Sequence, residues 1–110
     1  MVKENIIVIY TPCPNVEVAE KIAQSCLQGG FISCSNIIES VTSLFMWEGK
    51  LEKNKEVILI MKGLEKNFNE TKKIIKSLHP YECPVVLGWN VDHFPQQGQW
   101  GKDFANFFNF

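Results

Sequence analysis

The sequence contains no Cys-x-x-Cys pair. Its four cysteines stand at positions 13, 26, 34 and 83, too sparse for a secreted disulfide scaffold and wrongly spaced for a closed structural zinc site. Free thiols are therefore expected. An excess of charge is missing too: the formal net charge is −1, which excludes an electrostatic polyanion-binding surface and, with it, nucleic acid as a partner. No apolar run is long enough to span a membrane, and Ile6-Ile7-Val8-Ile9-Tyr10 behind Met1 to Asn5 is too short for a signal sequence. A cytoplasmic protein with no membrane partner is expected. Internal repeats and low-complexity segments are absent, and no proline falls between Ser33 and Lys62.

That proline-free stretch dominates what is present. It is rich in β-branched and aromatic residues, has Gly49 near its middle, and reads as two long strands folded back at Glu48-Gly49. A strand from Ser33 to Trp47 would be about 50 Å long, against a diameter of roughly 35 Å for a compact domain of this size. The hairpin must bend or overhang. Its tip is apolar on both faces, with Leu44 and Met46 pointing one way and Phe45 and Trp47 the other. One short chain has little left to cover both, so these four residues predict a homo-oligomer interface.

The 110 residues, 45% of them hydrophobic, suit a single domain over 1–110. Ile6 to Thr11 reads as a central strand stopped by the turn Pro12-Cys13-Pro14, which leaves Cys13 in that turn. Asn15 caps a helix with apolar positions Ala19, Ile22, Ala23, Cys26 and Leu27, and Gly29-Gly30 ends it. After the hairpin and its return strand Glu56 to Lys62, a second helix fits from about Glu65 to Ser77, with Phe68, Thr71, Ile74, Ile75 and Leu78 on one stripe. His79-Pro80 ends that helix, because a residue before proline is pushed out of the α region. A strand Val85 to Val91 follows, then a loop, then helical spacing of Phe104, Phe107 and Phe108. The order is βαββαβ with a C-terminal helix: an α+β, ferredoxin-like antiparallel sheet with an extended hairpin.

Two motifs carry a resemblance. Trp47-Glu48-Gly49-Lys50 together with His79-Pro80-Tyr81-Glu82-Cys83-Pro84, set among Pro14-Asn15, Ser33 to Ile38 and Glu56 to Lys62, is similar to the CutA divalent-ion-tolerance proteins. The resemblance implies a PII-like ferredoxin fold, a homotrimer joined through the long hairpin, and a role in tolerance of copper and other divalent metals. Three departures stand out. Glu39-Ser40 replaces a common Pro-Gly, Gly63 replaces a common threonine, and the ending Asp103-Phe104-Ala105-Asn106-Phe107-Phe108 lacks the family's tyrosine.

The resemblance also implies Cys34 and His79 as ligands of copper or another divalent cation. Thiolate suits Cu(I) and imidazole suits copper and zinc, provided that the two converge. A second candidate group is Lys62, His79, Tyr81 and Trp47, which could border an intersubunit cleft for a small anion, the site of a PII-like sensor. A structural trimeric anchoring scaffold is the third reading. An enzyme is not expected: Cys34 or Cys83 could serve as nucleophile and His79 as base, but no orienting third residue or oxyanion turn accompanies them, and His93 sits in a loop without a partner.

Overall fold

The structure, a computed structural model, describes residues 5–92; the expected C-terminal helix and His93 lie outside the described residues. The chain runs β1 (Ile6–Cys13), α1 (Val16–Gln28), β2 (Ile32–Trp47), β3 (Lys50–Leu64), a 3-10 turn (Glu65–Asn67), α2 (Phe68–Leu78) and β4 (Leu87–Val91). The strands form one sheet in the order β2-β3-β1-β4, with antiparallel neighbours throughout. The α+β, ferredoxin-like architecture expected from the pattern is the one observed.

Strand alternation divides the sheet into two faces. Ile7, Ile9 and Cys13 of β1 and Val57, Leu59 and Met61 of β3 point to the face on which α1 and α2 lie, where they form one core with Ala19, Ile22, Ala23, Cys26 and Ile75. Helix α1 starts where Asn15 Oδ1 accepts the Val18 N–H at 2.9 Å, satisfying a donor that the first turn leaves unpaired. The opposite face carries in-register rows: Cys34, Lys62, Val8 and Trp89 in one, Asn36, Ile60, Tyr10 and Leu87 in the next, then Ile38, Ile58 and Pro12.

The structure corrects several expectations. Strand β1 passes through Pro12 and ends at Cys13, which is fully buried in the core and not in a turn. Pro12 is tolerated because β4 pairs with β1 only as far as Tyr10, so the missing N–H faces no strand partner on that side. Leu27 and Leu78, placed on buried helix stripes by their spacing, are exposed.

The hairpin of β2 and β3 turns at Glu48 (φ 50°) and Gly49 (φ 79°) between the paired residues Trp47 and Lys50, a two-residue connection of the type whose twist matches that of the strands. Two register shifts, between Ile32 and Cys34 and between Ile38 and Val41, insert an extra residue in β2. At the second, Ser40 adopts φ 60°, so the bend expected of a Pro-Gly is made here by a serine. The hairpin overhangs, giving the molecule extents of 51 × 24 × 22 Å. Among the described residues nothing covers its tip: Leu44 and Met46 are each 64% exposed, Trp47 62% and Leu51 70%.

Candidate functional site

His79 ends α2 in an extended conformation ahead of Pro80 and turns back into the protein, where it is buried. Its Nε2–H donates to the Pro12 carbonyl at 2.7 Å, and its Nδ1 accepts the Tyr81 N–H at 3.2 Å. A carbonyl on one side and an N–H on the other require the neutral tautomer protonated at Nε2. Pro12 and His79 thus complete one another. The carbonyl of Pro12, lying past the end of β4 without a strand partner, receives the imidazole instead. Both ring nitrogens are occupied, so a metal could bind His79 only by displacing one of these bonds.

Cys34 is remote from this point. It pairs with Lys62 on β3, whereas Pro12 lies two strands across the sheet and four residues further along, about 16 Å from Cys34 at ordinary strand spacings. Within one chain the Cys34 and His79 pair is therefore not assembled. The reason is topological: β3 and β1 both intervene. Among the described residues, no three His, Cys, Asp or Glu side chains are grouped to hold a metal ion. The ammonium-bearing Lys62 beside Cys34 is a further obstacle to a cation there. Among the described residues, the ligands of one chain do not fit a metal centre.

The second candidate group is brought together in part. A cleft of about 450 Å³ is lined by Pro12, Leu44, Phe45, Trp47, Glu56 and Tyr81, together with Ser43, Asn54, Cys83 and Val85. Trp47 and Tyr81 share it, and His79 packs behind the Tyr81 ring at a centroid separation of 4.5 Å. Lys62 is not among its walls, being in the Cys34 row at the other end of the sheet. The charged group that is there is Glu56, whose Oε2 accepts the Tyr81 phenolic hydrogen at 3.1 Å. Burial and this bond to a carboxylate hold the Tyr81 phenol above its ordinary pKa. Within one chain the charge in this cleft is negative, and Lys62 could join Trp47 and Tyr81 only across a subunit boundary.

The comparisons bear on this geometry. The family model for the CutA1 divalent ion tolerance protein matches residues 7–103, which takes in every described strand and helix save the first residue of β1. The chain belongs to the CutA1 family. Like this CutA1 chain, the divalent-cation tolerance protein CutA of Pyrococcus horikoshii spans the shared domain; it is 40% identical over 87 residues, 79% of this chain and 84% of that protein. The solved CutA1 of Oryza sativa superposes with a TM-score of 0.84 at 26% identity, covering 94% of each chain. That of Archaeoglobus fulgidus, described as a periplasmic divalent cation tolerance protein, gives 0.79 at 30% identity over 94% of this chain and 95% of its own. Against the Xenopus and mammalian relatives that it matches, the chain spans about half their length. Among the described residues no helix is long and apolar enough to cross a membrane.

Glu56, Asn54 and Pro12 are among the cleft residues that the amino-acid pattern of this CutA1 chain does not mark. Glu56 stands immediately before the apolar run Val57 to Met61 and looks like a solvated strand end. Only the register that sets Val57 opposite Cys13 places it beneath Tyr81.

Proposed function

We propose that this chain is a non-enzymatic protein of divalent-cation tolerance that works as a homotrimer assembled through its hairpins. The observation that carries the reading is the uncovered hairpin tip. Leu44, Phe45, Met46, Trp47 and Leu51 present apolar surface on both faces of a two-stranded ribbon, and a second and third copy supply the cover that the described residues of one chain do not. Family membership supplies the metal connection. In this reading copper or another divalent ion is met by the assembly and not by one chain, with the half-exposed thiol of Cys34 as the soft donor and His79 in a structural role. The unpaired state of all four cysteines supports the cytoplasm as the compartment.

Native mass spectrometry with and without added copper tests both halves, since it reports subunits and ions together. The expected result is a trimer mass with retained copper, the copper being lost in Cys34→Ser while the trimer persists. A stable monomer at micromolar concentration overturns the assembly. Copper retained undiminished by Cys34→Ser overturns the site.

A further inference from the structure

We draw no further inference here: the strongest candidate, the cleft between the hairpin and the turn after α2 that Phe45, Trp47 and Tyr81 line, lies on the surface that the proposed assembly covers, and nothing in the structure shows what fills it.

Discussion

Cys13 and Cys26 lie in the core with no exposed surface, whereas Cys34 is half-buried and Cys83 exposed. Burial pushes the thiols of Cys13 and Cys26 up from 9.0 to about 11, for Cys13 with a smaller contribution from the nearby Glu56 carboxylate. The consequence for stability has a definite sign. Between 9.0 and about 11 the unfolded chain gives up thiol protons that the folded chain keeps. Stabilisation present below 9.0 is thus lost as pH rises through about 11. We expect the urea midpoint to fall across this range, and to fall less in a Cys13→Ala, Cys26→Ala variant that lacks the two titrating groups. An equal slope in both proteins would assign the effect to other residues.

At the scale of the element, the hairpin bends at an unfavourable residue. Ser40 at φ 60° occupies the left-handed region, which costs an L-residue on the order of 1 kcal/mol. Ser40→Gly removes that strain but adds chain entropy to the unfolded state, so a net gain of about 0.5 kcal/mol is expected. Ser40→Val, whose branched side chain is least compatible with positive φ, is expected to cost about 1 to 3 kcal/mol. Chemical denaturation of the two variants checks the pair, and a Val variant as stable as the parent would show that the bulge relaxes freely. The other end of the hairpin depends on glycine for a different reason. A Cβ on Gly63 would meet the Phe31 carbonyl oxygen at 2.6 Å, so the threonine common in the family does not fit this register.

For the whole molecule, the hairpin is a ribbon that the other described residues do not cover. Burying a large apolar side chain is worth about 1.5 to 3 kcal/mol, and Leu44, Met46, Trp47 and Leu51 are all available to a neighbour. Their sum rivals the stability of an ordinary domain, about 5 to 15 kcal/mol. In the proposed trimer dissociation and unfolding are then coupled, and the melting midpoint should rise with protein concentration in a reversible calorimetric series. Phe45→Glu, which places a charge in the proposed interface, should abolish both the assembly and that dependence. Folded subunits released at a midpoint independent of concentration would show that the hairpin merely decorates the domain.

Local chemistry determined the elements. Alternation and helical spacing in the apolar residues mark four strands and two helices, Asn15 and Gly29 bound α1, and a proline-free run turning at Gly49 marks the hairpin. These features depend on residues close together in sequence, where a side-chain period of two or of about 3.6 is visible directly. The cleft is of another kind. Pro12 inside a strand, His79 spent on two backbone groups, Cys34 set far from it and Glu56 beneath Tyr81 all follow from which strands are neighbours and where β4 stops. Such pairings join positions tens of residues apart. They are selected by packing of the whole core, and only the tertiary structure decided them.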